Sequence, residues 1–390
     1  MNYVFVSPYF PSNFKYFAIR LKEEGVNVLG VGSEPYDKLD PELKEAMTEY
    51  YKVDNMEDYN QMLEACGFFT YKYGKIDRIE SHNEYWLEQD AQLRTDFNVF
   101  GFKTEDMANV KFKSKMKEVF RSAGVPVARG RVITTPEEAK ALIEETGYPI
   151  CAKPDNGVGA ANTYKIKNDA DLDRFFETKP DTDYIMEEFI EGEIHTFDGL
   201  VDRSGDVVFM NSFIFDKGVM ETVNDQLDMF YYNQREIPED LKELGLAAVK
   251  AFNLRERFFH IEFFRQKDQK LIGLEVNVRP PGGLSMDMFN FSNDMDFYSQ
   301  YAKLVAGHPI EIDAKRPYYC AYVGLKHRGL IRHSHSTGDS LDKYGDLVVH
   351  HGPIASIFAA AIGDYAIVIR SPELEPLKEA SRFIMARENA

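Results

Sequence analysis

The sequence predicts an α/β protein of several domains, and two observations lead to that prediction. Over the first hundred residues short β-rich runs alternate with helical stretches, beginning with YVFVS, FKYFAIRLKEEG and VNVLGVG. Such alternation is typical of an open parallel sheet with helices on its faces. After Gly101 the order of strands and helices changes, and 390 residues are enough for about two to three domains.

The bulk composition excludes several classes of protein. A formal net charge of −18 repels a phosphate backbone and no basic stripe overrides it, so we expect no nucleic-acid partner. Apolar runs fall short of the ~18 to 20 residues that span a bilayer, and the N-terminus lacks signal-peptide features. We therefore expect a cytoplasmic protein with no membrane partner. The three scattered cysteines indicate neither a disulfide framework nor a zinc site.

The middle of the chain contains helices with clear boundaries. KSKMKEVFRSAG ends at Gly124, and TPEEAKALIEETG has Thr134 or Thr135 as its cap and Pro136 in its first turn. The stretch 216–238 is polar and aromatic without a clear period, so we expect a functional loop there. From about residue 311, short strands and a final helix suggest a lid or an added lobe.

Two runs with alternating polar residues, FFHIEFFRQ and KLIGLEVNVRPPGG, are predicted to pair as a hairpin. Alternation places Glu275, Asn277 and Arg279 on one face and Leu274 on the other. Pairing lets Glu262 face Glu275, and three oxygen donors suit Mg²⁺ held jointly with phosphate oxygens. Arg279 then reaches a phosphoryl group or a carboxylate. The alternative is a hairpin whose polar face simply meets solvent.

Two further segments are suited to a nucleotide. Lys153 precedes a turn of small residues whose backbone N–H groups can approach phosphates, although the turn lacks the Walker ending of a P-loop. The run YIMEEFIEGE offers backbone groups and apolar surface to an adenine ring, and Glu193 can accept hydrogen bonds from ribose hydroxyls. The alternatives are a plain hairpin turn beside an exposed lysine and an acidic surface loop.

Two residues are candidates for substrate contact. Glu84, in SHNEYW, follows a predicted strand of the first domain, where open α/β sheets place their ligand contacts. His260 precedes Glu262 on the same strand face and is a candidate acid or base. A hydrogen-bonded structural histidine is the alternative for His260.

The order of these pieces, over residues 105–310, resembles the ATP-grasp superfamily. The segments that carry the resemblance are Lys115, Lys153 with its small-residue loop, 187–190 with Glu193, and Glu262, Glu275 and Asn277. It implies an ATP-grasp fold with a pre-ATP-grasp open α/β domain (1–104), a two-lobed α+β nucleotide-binding region and a C-terminal lobe (311–390). The two nucleotide-binding lobes are a small lobe (105–183) and a large lobe (184–310).

The resemblance also implies a role for each site residue. Phosphate contacts come from Lys115, Lys153 and the 156–162 loop with Gly157 and Gly159. The adenine and ribose contacts come from Glu187, Glu188, Phe189, Ile190, Leu274 and Glu193. The metal ligands are Glu262, Glu275 and Asn277, which bind one or two Mg²⁺ ions, for which Mn²⁺ can substitute. Arg279 acts on the reacting phosphate, and Gly282 and Gly283 let a substrate carboxylate approach the backbone.

The resemblance implies an ATP-dependent carboxylate–amine ligase, most similar in layout to the amino-acid and dipeptide ligases. Such an enzyme phosphorylates a carboxylate to an acyl phosphate and passes it to an amine. Its expected partners are a small-molecule carboxylate and an amine, and a homodimer is compatible with the resemblance. The alternatives are a purine-biosynthesis-type or biotin-carboxylase-type enzyme and a non-catalytic ATP-binding regulator.

Overall fold

The computed structural model describes residues 1–157, 162–313, 315–328 and 331–388. Its first domain contains strands β1 (Asn2–Val6), β2 (Asn27–Gly32), β3 (Glu49–Lys52) and β4 (Arg78–Glu80), with helices α1 (Lys15–Glu23), α2 (Pro41–Ala46), α3 (Tyr59–Tyr73) and α4 (Leu87–Asp96). The strands form a parallel sheet in the order β3-β2-β1-β4. The open parallel α/β sheet predicted here is confirmed, and Glu84 follows the carboxyl end of β4.

The next part contains α5 (Met107–Lys111), α6 (Lys113–Ser122), β5 (Gly130–Ile133), α7 (Pro136–Thr146), β6 (Ile150–Pro154), β7 (Tyr164–Ile166), α8 (Asp169–Thr178) and β8 (Tyr184–Glu188). The strands form an antiparallel sheet in the order β5-β8-β6-β7. Helix α7 begins as predicted, because Thr135 and Glu138 form a capping box in front of Pro136.

Two predicted placements in this region need correction. The predicted boundary between residues 183 and 184 cuts the small-lobe sheet, since β8 pairs with both β5 and β6. Helix α6 was placed in the small lobe, but its buried residues Met116 and Phe120 belong to the core built around the following sheet. Paired strands have to share one lobe, so the small lobe extends past β8.

The large sheet is built from β9 (Glu193–Val201), β10 (Val207–Asn211), β11 (Phe213–Phe215), β12 (Met229–Asn233), β13 (Arg257–Arg265), β14 (Leu271–Asn277), β15 (Tyr319–Leu325), β16 (Val348–Pro353) and β17 (Tyr365–Ser371). Its order is β14-β13-β9-β11-β12-β15-β17-β16, with β10 beside β9. The helices are α9 (Val219–Asn224), α10 (Glu239–Ala251), α11 (Ser285–Asn293), α12 (Phe297–Ala306), α13 (Thr337–Tyr344), α14 (Ala359–Ile362) and α15 (Leu374–Ile384). Because β15 pairs with β12, the last strands extend the large-lobe sheet.

The irregular loop expected over 216–238 is wrong, since this stretch contains α9 and β12. Strand β12 lies between β11 and β15 and is buried on both faces. A strand covered on both faces has no polar side, and its sequence therefore lacks the alternation by which a half-exposed strand is recognised.

An aromatic cluster joins the first domain to the large lobe. The ring of His82 stacks on Phe17 at 4.1 Å, and its Nε2 lies 2.9 Å from the hydroxyl of Tyr3. Phe17 also packs edge-on against Tyr298 and Tyr301 of α12. Burial lowers the pKa of His82 to about 4, so the ring is neutral at pH 7 and is part of the packed interface. Within the described residues, no helix is long and apolar enough to cross a bilayer.

Two glycines in helices are expected to respond in opposite directions to the same substitution. A Cβ at Gly245 in α10 meets the ring of buried Phe197 at 2.2 Å, whereas a Cβ at Gly67 in α3 meets nothing within 4 Å. Gly245→Ala is therefore expected to destabilise the protein by about 1 to 3 kcal/mol through overpacking. Gly67→Ala is expected to stabilise it by about 0.5 to 1 kcal/mol through helix propensity. Urea unfolding measures both, and a stable Gly245→Ala protein would contradict the close approach of α10 to β9.

Candidate active site

The predicted hairpin is confirmed, because β13 and β14 pair in antiparallel fashion. Glu262 lies directly opposite Glu275, and His260 lies opposite Asn277. Strand β13 is flanked on its other side by β9, so the hairpin is fixed at one edge of the large sheet. The register therefore brings two carboxylates and one amide together at this edge.

A β-bulge changes the direction of one predicted side chain. Phe263 pairs with Gly273 while Glu262 pairs with Glu275, so Leu274 is an extra residue between two successive pairs. Simple alternation placed Leu274 on the face opposite Glu275. Both residues are instead half-buried, and Leu274 is absent from the packed cores that take in its neighbours Leu271 and Val276. The bulge thus leaves an apolar side chain uncovered next to a carboxylate.

A chain of hydrogen bonds connects the hairpin to the first domain. The amide nitrogen of Asn277 donates to Glu275 Oε1 at 3.4 Å, and its oxygen accepts from Arg279 Nη2 at 3.2 Å. The same Arg279 nitrogen donates to Glu84 Oε2 at 2.8 Å. Although burial opposes ionisation of Glu84, the charges of Arg279, Lys111 and Lys113 outweigh it and lower its pKa. The predicted strand-end residue Glu84 therefore lies beside Arg279.

His260 is held between two carboxylates. Its Nδ1 lies 2.6 Å from Asp198 Oδ1 and its Nε2 lies 3.0 Å from Glu262 Oε1. Asp198 is fully buried and also accepts a hydrogen bond from Thr196. Burial opposes protonation of the ring, but the two carboxylates outweigh it and raise the pKa of His260 to about 10. With both ring nitrogens occupied, His260 positions Glu262, which corresponds to the structural alternative rather than to an acid or base.

Three buried charged side chains lie on the side of the candidate site that faces the small lobe. Glu187 on β8 lies 2.6 Å from Lys153 Nζ on β6 and 2.9 Å from Lys117 Nζ on α6. Burial raises the cost of charging Glu187, but the two lysines lower its pKa to about 2. Lys117 also donates to the carbonyl of Gly273 on β14 at 3.4 Å. The ion triad Lys117–Glu187–Lys153 therefore connects three separate elements.

The placement of Lys115 at the phosphates is not supported by the structure. Lys115 lies on the exposed face of α6 and pairs with Glu118 at 3.0 Å. Lys113 and Lys117 are buried, and Lys113 Nζ donates to the carbonyl of Gly157 at 3.1 Å. On a helix, residues 113, 117 and 120 share one face while 115 lies on the other, because the period is 3.6. Phe120 is buried, and Lys113 and Lys117 lie on the same helical face as Phe120. Their spacing from Phe120 in the sequence therefore indicates that these two lysines, and not Lys115, face inward.

Asp155 fixes the start of α6 against the small-residue turn. Its carboxylate accepts from the backbone N–H and the hydroxyl of Ser114, both at 2.7 Å, and its carbonyl accepts from the Lys113 N–H. Lys113 is thereby held beside Gly157. Gly159, the second glycine predicted to contact phosphate, lies outside the described residues.

The remaining predicted residues differ in their surroundings. Glu188 turns to the outer side of β8, where it pairs with Arg129 at 2.6 Å, and so does not face the triad. Phe189 and Ile190 are half-buried, with Lys165 Nζ 3.6 Å above the Phe189 ring. The side chain of Glu193, 70% exposed, lies at the open end of β9. Gly283 has φ of +62°, and nothing lies within 4 Å of a Cβ placed at Gly282.

The two sides of the site act on each other electrostatically. Burial and the facing charge of Glu262 raise the pKa of Glu275, while Lys113 and Lys153 act in the opposite direction. Two facing carboxylates with an adjacent amide oxygen form a hard-oxygen donor set of the kind Mg²⁺ prefers. In the described part of the chain, no group of three or more His, Cys, Asp or Glu side chains is arranged to hold a metal. A cation here therefore needs Asn277 and further oxygens from a ligand.

Comparison with known proteins agrees with this geometry. Residues 146–287 match the family described as "ATP-grasp domain". The matched segment is less than half of the chain, and over these residues the chain resembles an ATP-grasp domain. It is 26% identical over 242 residues to an L-arginine-specific L-amino acid ligase of Bacillus subtilis, a match that covers 60% of this chain and 58% of that enzyme. The chain thus spans little more than half of the length of that relative.

Solved structures resemble the fold over nearly the whole chain. An L-amino acid ligase from Bacillus licheniformis superposes with a TM-score of 0.73 at 16% identity, covering 98% of this chain and 96% of that one. The ADP complex of an N5-carboxyaminoimidazole ribonucleotide synthetase also gives 0.73, at 12% identity, with 98% and 95% coverage. The chain therefore has the predicted ATP-grasp fold, and these two likenesses do not separate the two reaction types.

Two neighbouring glutamates on β8 are expected to differ in their contribution to stability. Glu187→Ala leaves two buried lysines without a counter-charge, and removing one partner of a buried pair costs about 3 to 5 kcal/mol. Glu188→Ala removes an ion pair with the well-exposed Arg129 side chain and a hydrogen bond from the Arg129 backbone N–H, both at the surface, so little change is expected. Urea unfolding at pH 7 compares the two variants, and equal losses would show that the triad does not stabilise the fold.

Proposed function

We propose that this chain is an ATP- and Mg²⁺-dependent ligase that joins a small carboxylate to an amine through an acyl phosphate. One observation carries the proposal. The paired carboxylates Glu262 and Glu275 face each other in the hairpin register, within electrostatic reach of buried Lys113 and Lys153. A metal–nucleotide complex requires carboxylates that bind the metal and, opposite them, lysines that bind the phosphates.

The hairpin residues Glu262, Glu275 and Asn277 would hold Mg²⁺ together with phosphate oxygens. Bound there, the ion neutralises charge that develops on the transferring phosphoryl group. His260 keeps Glu262 in place by a hydrogen bond at 3.0 Å and is itself fixed by buried Asp198. In this arrangement His260 is a positioning residue, and it does not need to exchange a proton during the reaction.

The nucleotide would lie between the small lobe and the hairpin. Lys113 and Lys153 contact its phosphates, and Gly157 contributes backbone groups beside Lys113. Leu274, uncovered by the bulge, supports the adenine ring together with Phe189 and Ile190, and exposed Glu193 accepts from the ribose. Glu187 holds Lys117 and Lys153 in place, and its charge opposes the lowering of the Lys117 pKa that burial causes.

The reaction we propose has two steps. A carboxylate oxygen of the first substrate attacks the γ-phosphorus of ATP, the bond to the bridging oxygen breaks, and ADP leaves. The amine then attacks the carbonyl carbon of the acyl phosphate, inorganic phosphate leaves, and the amine loses a proton. Arg279, 20% exposed, contacts the transferred phosphate and the acyl group. Backbone N–H groups near Gly282 and Gly283 receive the substrate carboxylate.

Glu84 is proposed to face the substrate at the border of the first domain. Its carboxylate is ionised and orients Arg279 through the hydrogen bond at 2.8 Å. Glu84 therefore offers a negative charge, and Arg279 a positive charge, to a substrate bound beside them. A zwitterionic amino acid, which carries a carboxylate and an ammonium group, is complementary to such a pair. We therefore place the carboxylate substrate among amino acids or small carboxylic acids. The homodimer stays a prediction.

The equal likeness to an N5-carboxyaminoimidazole ribonucleotide synthetase makes a purine-biosynthesis-type reaction the second candidate. An assay of ADP release with a panel of amino acids, other carboxylates and amines separates the candidates. Release that needs both an amino acid and an amine supports the ligase, and transfer of ¹⁸O from the carboxylate to phosphate supports the acyl phosphate. Tight ATP binding with no turnover on any pair would instead support a regulator.

Glu275→Gln is expected to lower ADP release by at least about 100-fold, because an amide replaces one of two charged metal ligands and such losses exceed 2.7 kcal/mol. The fold should persist, since Gln keeps the size of the side chain. Glu137→Gln on the exposed surface of α7 is the matched control and should remain fully active. ADP release by Glu275→Gln within about threefold of the parent rate would remove the metal assignment.

The two lysines of α6 that differ in burial are expected to differ in ATP binding. Lys113→Ala should weaken ATP binding by about 10- to 100-fold, the value of one charge-assisted hydrogen bond. Lys115→Ala should change it less than about twofold, because Lys115 pairs with Glu118 on the outer face. Titration calorimetry measures the dissociation constant of ATP for both variants. A larger loss of ATP affinity in Lys115→Ala than in Lys113→Ala would show that Lys115 contacts the phosphates.

A further inference from the structure

A second cleft lies on the opposite side of the first domain from the candidate active site. It has a volume of about 430 Å³ and is bordered by Lys75, the segment 98–103, Arg203 and the segment 253–257. Lys75 precedes strand β4 and Glu84 follows it, so the cleft is at the amino-terminal edge of the parallel sheet. This cleft, which we call the basal cleft, is separate from the residues proposed to bind ATP.

Basic side chains dominate the basal cleft. Lys75, Lys103, Arg203 and Arg255 border it together with Arg257, whereas Asp106 is the acidic residue on its wall. Arg257 is paired with Glu80 at 2.7 Å. In the part of the chain that the structure describes, the other four cations form no ion pair with a carboxylate. Four like charges around one concave surface repel each other, and in a chain of net charge −18 such a cluster is unusual.

One buried ion pair and several exposed contacts hold the walls of the basal cleft. Arg78 on β4 and Glu256 before β13 form a buried bidentate ion pair that joins the first domain to the large lobe. Arg255 is fixed by bonds from its guanidinium to the carbonyls of Arg203 and Ser204 and to Asn253. The guanidinium of Arg203 lies 4.4 Å from the centre of the Phe100 ring. Arg203 and Arg255 are therefore presented at defined positions.

We propose that the basal cleft binds a small phosphorylated molecule. Its volume falls within the range of about 300 to 1,000 Å³ found for small-molecule sites. Guanidinium groups match the geometry of phosphate oxygens, and lysines add point charge. Half-buried Phe100 adds an aromatic ring to the wall, where it contacts the guanidinium groups of Arg203 and Arg78. The proposal is independent of the ligase reaction, since it uses none of the residues placed in the catalytic site.

Arg257 connects the basal cleft with the catalytic side. Its guanidinium donates to the carbonyl of Val278 at 2.7 Å, between Asn277 and Arg279, and Arg257 also borders a small void that Arg279 lines. A ligand that contacts the cleft wall at Arg257 therefore acts one residue away from the proposed catalytic arginine. This contact makes the basal cleft suited to an effector of the enzyme.

Titration calorimetry of the full chain with inorganic tripolyphosphate tests the proposal. Besides binding at the nucleotide site, which Lys113→Ala weakens, one equivalent is expected to bind in the basal cleft, and Arg203→Glu/Arg255→Glu should weaken the binding in the cleft at least about tenfold. Lys75→Glu/Lys103→Glu is a second variant that keeps the backbone contacts of Arg255. Arg121→Glu/Arg174→Glu changes net charge equally at exposed positions outside the cleft and should bind normally.

Three results would overturn the proposal. Binding that survives in both cleft variants places the anion elsewhere, and binding lost equally in the Arg121/Arg174 control shows that only net charge matters. Binding lost in Lys113→Ala but kept in the cleft variants places tripolyphosphate in the nucleotide site. ADP release by the cleft variants, measured without tripolyphosphate, should match the parent chain, so failure of this proposal is distinguishable from failure of the ligase proposal.

Discussion

Two buried lysines, Lys117 and Lys153, share the carboxylate of Glu187. Burying three charges is costly, and the arrangement is maintained only because each lysine faces the same anion at hydrogen-bond distance. The triad retains one positive charge, and Lys113 adds another on the same side of the site. The small lobe thus presents cations that were already desolvated when the protein folded, and a polyphosphate does not have to dehydrate them on binding.

The opposite wall depends on strand register. Glu262 and Glu275 face each other because β13 is held between β9 and β14, and a shift by one residue would move both carboxylates to the core face. The bulge at Leu274 then turns an apolar side chain toward the same side as Glu275. Lys117 reaches the carbonyl of Gly273 immediately before this bulge. The ion triad and the carboxylate pair are therefore connected through Lys117 and the backbone of β14.

The parts of the site that follow a regular period were predictable from the sequence. Alternation in two strands is enough to place Glu262 opposite Glu275, and Thr135 with Pro136 marks the start of α7. The errors arose where local pattern and tertiary structure differ. Leu274 departs from alternation because of the bulge, for which Gly273 was the only local sign. The position of Lys115 along the chain predicts a phosphate contact, whereas burial follows the helical face that contains Lys113, Lys117 and Phe120.

Other features depend on contacts between distant segments, and no local pattern reveals them. Strand β12 is recognisable only once β11 and β15 enclose it, and the boundary of the small lobe follows from the pairing of β8 with β5 and β6. The pairing of Arg279 with Glu84 spans 195 residues. A sequence shows that each partner is charged. The two residues pair because the parallel sheet of the first domain and the β13–β14 hairpin bring Glu84 and Arg279 close together.

Net charge and local charge act over different distances in this protein. A chain with net charge −18 repels anionic ligands at long range, but at physiological ionic strength this field is screened beyond about 8 Å. Within that distance the buried lysines dominate, because their neighbours have already excluded water and salt ions. Attraction of a nucleotide therefore begins only after it has entered the site. We infer that recognition depends on the fit between phosphates, lysines and the carboxylate pair, and that long-range steering contributes little.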